Sequence, residues 1–387
     1  MGETKGNALS RMIDAVSRLK EEGVEILALN VGEPNCNTPE AIKNETIRAI
    51  CENQTHYASS PKGELVLREA IAESLKTDTG IDYDPNTEIL VTTSCGEGIL
   101  AAMTGLIGRD EEIIVLTPAF PMYAMTAAIT GGKAVEIPLR KENGYQPDAA
   151  EIEAAVTERT KMIVINNPNN PSGGVYTKAA LEQIAVVARR HDLLVLSDEI
   201  YNRITYGEEE VVSIASFPGM RERTIILNGF SKVYAMTGWR LGYVAAPAEL
   251  LAPIEKIHYC ATTFSPTFIQ IGTARGMKTE SAVFEVAQMM KQFTKQRETV
   301  LTALDKMPEL SYIPPQGAFY VLVNVEATGM DGAAFAETLL NEQHVAVVPG
   351  EAFGKDFKNW VRISYAASVE TLQASLDRIQ AFLAARK

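Results

Sequence analysis

The sequence predicts an α/β protein in two parts: a large domain whose mostly parallel seven-stranded sheet is sandwiched by helices, and a smaller α+β domain. Three observations carry that expectation. Between residues 88 and 247, short β-branched runs alternate with longer helix-compatible segments, the order a layered α/β architecture requires. Most of these runs carry no charge, as strands do when helices cover both faces of a largely parallel sheet. The 387 residues, 46% of them hydrophobic, can fill more than one core, which favours roughly two domains.

Taken in order, an amphipathic stretch over 9–22 comes first, then a Gly/Pro-rich loop over 30–39. The runs 89–93, 113–116, 134–137, 162–166, 193–197, 224–228 and 242–246 read as the seven strands. A helical segment over 284–307 leads to further strands at 318–323, 345–348 and 361–365. A closing amphipathic helix sets Leu372, Leu376, Ile379 and Leu383 on one face. Residues 46–280 are therefore assigned to the large domain. Residues 1–45 and 281–387 form the small one, which the amino-terminal segment joins.

Charge and composition narrow the function. With 36 basic against 49 acidic residues the net charge is −13, which argues against a nucleic-acid binder. No secretory signal pattern is visible at the start, and the long uncharged stretch 113–132 is broken by Pro118, Pro121 and Gly131-Gly132, so it reads as strand, turn and helix and not as a membrane span. The four cysteines and four histidines lack metal-ligand spacing. A reduced, metal-free cytoplasmic protein is expected.

In a parallel sheet, ligands bind beyond the carboxyl ends of the strands, so the residues that follow each run matter most. Ser94-Cys95-Gly96 follows the first, Phe120 the second, Asn166 to Gly173 the fourth, Asp198 to Tyr201 the fifth and Gly229 to Lys232 the sixth. One edge thereby gathers an anion-binding helix start, an aromatic, an amide, a carboxylate, a phenol and an amine. Gly96 to Ala101 also matches a dinucleotide-binding turn. That reading needs an acid closing the next strand, where the chain has Thr117-Pro118-Ala119-Phe120 instead.

The most informative segment runs from Ser231 to Gly242. Lys232 sits between a buried strand and a Met/Gly/Trp-rich turn, where desolvation can lower its pKa and free the amine for a Schiff base. Arg240 keeps its charge and offers a rigid fork of donors to a phosphate. With Asn-Asn-Pro-Asn-Asn-Pro-Ser-Gly at 166–173 and Ser-Asp-Glu-Ile-Tyr at 197–201, the chain resembles the fold-type I aminotransferases that use pyridoxal 5′-phosphate. The likeness extends along the chain, through Leu29 to Pro34, Tyr57 with Gly63, Pro315 to Tyr320, Val347 to Gly350 and Val361 to Ala366. It is closest to the bacterial and archaeal branch acting on aspartate, aromatic amino acids or alanine.

The resemblance implies a role for each residue. Lys232 would hold the cofactor and shuttle the substrate's α-proton, and Asp198 would pair with the pyridine nitrogen. Asn170 and Tyr201 would bond the ring oxygen, and Phe120 would stack on the ring. Ser94, Cys95, Gly96 and Arg240 would bind the phosphate, Ser231 would join the cofactor set, and Tyr57 would reach in from a second subunit. Arg362 would clamp the substrate carboxylate beside Gly32 and Asn170. The implied protein is a homodimer moving an amino group from an L-amino acid to a 2-oxo acid, most often 2-oxoglutarate. Gly229, Cys36 and Cys95 depart from the common pattern, and no arginine matches the one that selects acidic side chains in some relatives. A carbon–sulfur β-lyase of the cystathionine type, or a non-enzymatic regulator on the same scaffold, are the alternatives.

Overall fold

In the computed structural model, which describes residues 8–207 and 211–386, the uncharged runs assemble as their composition demands. The first seven residues of the amino-terminal segment lie outside the described residues. A short strand, β1 (Leu27–Ala28), precedes the large sheet. That sheet comprises β2 (Ile89–Thr92), β3 (Glu112–Thr117), β4 (Lys133–Pro138), β5 (Thr160–Asn166), β6 (Leu194–Asp198), β7 (Thr224–Gly229) and β8 (Gly242–Ala245), in the order β2-β8-β7-β6-β5-β3-β4. The mostly parallel seven-stranded sheet read from the sequence is therefore present. Only β8 runs against its neighbours, antiparallel to both β2 and β7.

Alternate residues of each strand enter different cores, because successive side chains point to opposite faces. Ile113, Val115, Met162 and Val164 pack with Ile99, Met103, Leu251 and Ile254 from two helices, Cys95–Leu106 and Ala248–Ala261. Ile114, Leu116, Ile163 and Ile165 face the helix Lys178–Arg190 through Leu181, Ile184 and Ala188. Each such side chain stabilises the fold by about 1.5–3 kcal/mol, so truncating Ile163 to alanine should cost about 2–5 kcal/mol. The outermost strand β4 is the exception that its place explains: Lys133 and Glu136 are exposed on the sheet edge.

The carboxyl part adds β9 (Ser311–Ile313), β10 (Tyr320–Asn324), β11 (Val345–Ala346), β12 (Val348–Pro349) and β13 (Trp360–Ser364). Four of these form a separate antiparallel sheet, β12-β13-β10-β9, beside the long helix Glu280–Leu304 and the closing helix Val369–Ala384. The single strand expected over 345–348 divides in two. Val345 and Ala346 pair in parallel with Leu27 and Ala28 of the amino-terminal segment, whereas Val348 and Pro349 pair with Arg362 and Val361. Two neighbouring sheets compete for one apolar run, and each takes two residues.

Topology places the chemistry. The parallel strands all end on one edge of the large sheet, and β8, running the other way, begins there, so Arg240 just before it joins the residues that follow β2, β3, β5, β6 and β7. The close approach also requires glycine. A β-carbon on Gly242 would lie 2.6 Å from the backbone nitrogen of Cys95.

Candidate active site

A cavity of about 450 Å³ opens at this edge. Ser94, Cys95, Gly96, Phe120, Asn170, Asp198, Tyr201, Ser231, Lys232 and Arg240 line it, with Gly32 and Arg362 entering from the amino-terminal loop and from β13. Every candidate read from the sequence is thus brought together except Tyr57. That side chain is 81% exposed and stacks on Phe264 with ring centroids 4.8 Å apart.

Asp198 closes β6 and is buried. Its Oδ2 accepts a hydrogen bond of 2.7 Å from the Tyr123 hydroxyl, and its Oδ1 one of 3.2 Å from the Ile200 backbone N–H, with Cys95 Sγ at 3.9 Å. Burial pushes its pKa up, while the Tyr123 bond, the Ile200 N–H and the Lys232 charge oppose that push. A carboxylate held this way calls for a cation in the cavity.

Lys232 is half-buried, its Nζ donating to the Gly32 carbonyl oxygen at 2.6 Å. Burial and the nearby Arg362 and Arg240 pull its pKa down to about 8, against the pull of Glu33. An amine so placed is available both as a nucleophile and as a base near neutral pH.

Arg362 is buried, and its guanidinium donates from one nitrogen to Asn170 Oδ1 at 3.1 Å and from another to the Asn30 carbonyl at 2.7 Å. The guanidinium carbon lies 4.6 Å from the Tyr320 ring centroid and 5.1 Å from that of Phe353. Its Nε and the side-chain oxygen of Asn30 have no hydrogen-bond partner although both are buried. An unpaired buried donor costs about 1–3 kcal/mol, which an arriving carboxylate would recover.

Ser94 stands at φ 86° immediately before the helix Cys95–Leu106, a conformation usually left to glycine, and Arg240 adopts φ 53°. The first N–H groups of that helix have no acceptor within it and face an edge that also carries Arg240, the arrangement a phosphate needs. Gly229, in contrast, is absent from the cavity wall and lies against the start of β8, where a β-carbon would meet Gly242 Cα at 2.9 Å.

Three participants escaped the sequence reading. Tyr123 bonds Asp198, Tyr320 places its hydroxyl 2.9 Å from that of Tyr201, and Asn30 receives Arg362. Tyr123 sits in the first turn of the helix Met122–Thr130 beyond β3, and that position was the one available signal. Among the described residues, no group of three or more side chains could hold a metal ion, and no helix is long and apolar enough to cross a membrane.

Comparison with known proteins places the chain in a family. Residues 24–379 match the family model for aminotransferase class I and II. The chain is 40% identical over 379 residues to an aspartate aminotransferase of Pyrococcus abyssi, covering 98% of this chain and 96% of that protein. It is likewise 40% identical over 367 residues to aromatic-amino-acid aminotransferase 2 of Thermococcus litoralis, covering 95% and 94%. The crystal structure of an aromatic aminotransferase from Pyrococcus horikoshii superposes with a TM-score of 0.91 at 41% identity, covering 96% of this chain and 99% of that one. A chain matched along nearly its whole length, with an amine, a carboxylate and a buried guanidinium around one cavity, belongs to the class I and II aminotransferases and is a transaminase.

Proposed function

We propose that the cavity holds pyridoxal 5′-phosphate and that the chain moves an amino group from an L-amino acid to a 2-oxo acid. Aspartate, aromatic or alanine-like donors and 2-oxoglutarate as acceptor are the first candidates, in keeping with the relatives named for aspartate and aromatic substrates. One observation carries the reading: a lysine with its pKa pulled down to about 8 shares a cavity with a buried carboxylate and a buried arginine whose Nε lacks a partner.

The residues suit that cofactor. Asp198, costly to ionise alone, is matched by a protonated pyridine nitrogen. The Ser94 to Gly96 helix start and Arg240 supply N–H donors and charge for a phosphate, with Ser231 beside them. Phe120 offers a ring face, and Asn170 and Tyr201 offer donors to a ring oxygen. When bound, the cofactor supplies a conjugated sink for the electron pair left on the substrate's α-carbon.

Lys232 would tether the cofactor through Nζ and, when free, move the proton at the α-carbon. Arg362 would grip the α-carboxylate through its fork, beside Gly32, and so orient the α-carbon toward that amine. The exposed Tyr57, with Ile47, Ile50 and Tyr259 also exposed, supports a second copy covering this face and lending the phenol to its neighbour's phosphate site. The division at 46–280 against 1–45 with 281–387 belongs to the same proposal, as does a cytoplasmic setting, which suits four free cysteines.

Borohydride reduction of the loaded protein followed by peptide mapping should find the cofactor on Lys232. A scan of L-amino acids with 2-oxoglutarate, pyruvate and oxaloacetate then identifies the pair. A Lys232→Ala protein that transaminates at a near-normal rate would sink the assignment.

A further inference from the structure

Ser94 holds a conformation that it would not keep unaided. At φ 86° and ψ 160° it lies in a region of backbone space restricted almost wholly to glycine, where a side chain persists only if its surroundings over-determine it. The strain has a use. Asp331 and Ser368 cap their helices through side-chain oxygens, whereas Ser94 makes no capping hydrogen bond to the helix Cys95–Leu106, which leaves its hydroxyl to the cavity that it lines.

What holds the turn lies behind it. Thr92 Oγ1 donates to the Ser94 carbonyl at 2.9 Å, and the Thr93 N–H donates to Glu97 Oε2 at 3.0 Å, so the chain is tied on either side of Ser94. A glutamate three residues into a helix commonly reaches back to the N–H of the capping residue; here it reaches one residue further. That carboxylate is itself gripped. His258, on the helix Ala248–Ala261 and without exposed surface, places Nδ1 3.2 Å from both Glu97 oxygens, with the Thr262 hydroxyl 3.2 Å from the same nitrogen. The His258 Nε2 is buried without a partner. A leucine would fill this space and orphan no polar atom, so Nδ1 is the part of the ring that the position uses.

We propose that Glu97 and His258 are positioning residues that act as one unit, holding the strained Ser94 turn so that its hydroxyl and the N–H groups of Cys95 and Gly96 converge on a phosphate. Neither side chain lines the cavity, so both act on a ligand only through the backbone of the turn. His258 fixes the carboxylate, the carboxylate fixes the Thr93 N–H, and the chain after Thr93 is thereby kept in a shape that serine does not choose. The inference rests on the function proposed above, which gives this helix start the cofactor phosphate.

The test compares two ligands of the full-length protein freed of cofactor: pyridoxal 5′-phosphate, and pyridoxal, which has the same ring and aldehyde but no phosphate. Equilibrium titration with each gives a ratio of dissociation constants that isolates what the phosphate contributes. Glu97→Ala should lower this preference for the phosphate by about tenfold and leave pyridoxal binding unchanged. Glu97→Gln keeps an acceptor for the Thr93 N–H and an amide to meet His258, and should stay within about threefold of the unmodified protein. His258→Leu should lower the preference by about fivefold alone, yet by less than about twofold once residue 97 is alanine, because the two side chains act together. Ser94→Gly supplies the decisive background, since glycine enters this conformation without strain: there Glu97→Ala should lower the preference by less than about threefold. Three results overturn the proposal. They are equal weakening of both ligands in Glu97→Ala, which would make the pair a support of the whole site; losses from Glu97→Ala and His258→Leu that multiply; and an undiminished loss in the Ser94→Gly background. An unmodified protein that shows no preference for pyridoxal 5′-phosphate over pyridoxal would instead remove the phosphate site of the proposed function, so the two failures are told apart.

Discussion

Replacing Lys232 by methionine should abolish transamination and yet stabilise the cofactor-free fold. Burial, and after it Arg362 and Arg240, hold the Lys232 ammonium at about 8, against 10.5 for an ordinary lysine. Between those two values the unfolded chain binds the proton and the folded chain does not, so stability rises with pH across that window. Below pH 8 the protein carries the whole cost of keeping this charge in a dry place. The gap between the values corresponds to at most about 3 kcal/mol, and solvent reaching a half-buried group reduces it. Losing the 2.6 Å hydrogen bond to Gly32 offsets about 1 kcal/mol more. The methionine variant should therefore be about 1–2 kcal/mol more stable at pH 7, and the advantage should fade as pH approaches 10.5. Urea unfolding of the two cofactor-free proteins, at one protein concentration and at pH 7 and 10.5, measures both quantities. A variant less stable than its parent at pH 7, or a difference that does not change with pH, would refute the idea that a buried charge is the source of this amine's reactivity.

Arg362→Gln removes the fork that meets the substrate carboxylate, and steady-state kinetics should show kcat/KM falling by about 100-fold for every donor alike, near 3 kcal/mol. A loss confined to acidic donors would place Arg362 at the side-chain end of the substrate instead. Tyr123→Phe takes away the 2.7 Å hydrogen bond to Asp198 Oδ2, which drives that carboxyl's pKa higher still. The cofactor dissociation constant should rise by about tenfold and worsen as pH falls, because the protonated acid no longer meets a pyridinium. An unchanged constant in an equilibrium titration across pH would show that Tyr123 only fills space. Tyr57→Phe should weaken cofactor binding comparably, and mixing it with Lys232→Ala should regenerate activity through hybrid dimers that contain one intact site. No recovery on mixing would mean that Tyr57 serves its own chain or none.

Much of the fold was legible because burial on both faces leaves a plain mark. The runs at 113–116 and 162–166 have no charge, and the structure sends their alternate residues into two different cores. What was not legible was too short or too contested. β1 and β9, with two and three residues, are shorter than a period can reveal, and the run at 345–348 is apolar throughout although two sheets divide it. The antiparallel direction of β8 also leaves no local trace, yet it brings Arg240 to the edge where the other strands end.

The site divides along the same line. Asn170, Asp198 and Lys232 announce themselves because a polar group directly after an apolar strand must go somewhere particular in a parallel sheet. Tyr123 and Tyr320 announce nothing, since a tyrosine among apolar residues looks like core until its hydroxyl has a partner. Those partners lie far along the chain: Tyr123 and Asp198 are 75 positions apart, Tyr201 and Tyr320 are 119 apart, and Arg362 reaches Asn30 across 332. Local pattern can show that a group will be desolvated, which is why the lowered pKa of Lys232 was foreseeable in direction. It cannot show which distant donor meets it. The chemistry of this site is set by both, because the same burial that frees the Lys232 amine pushes the Asp198 carboxyl up, against the opposing pull of Tyr123, the Ile200 N–H and Lys232.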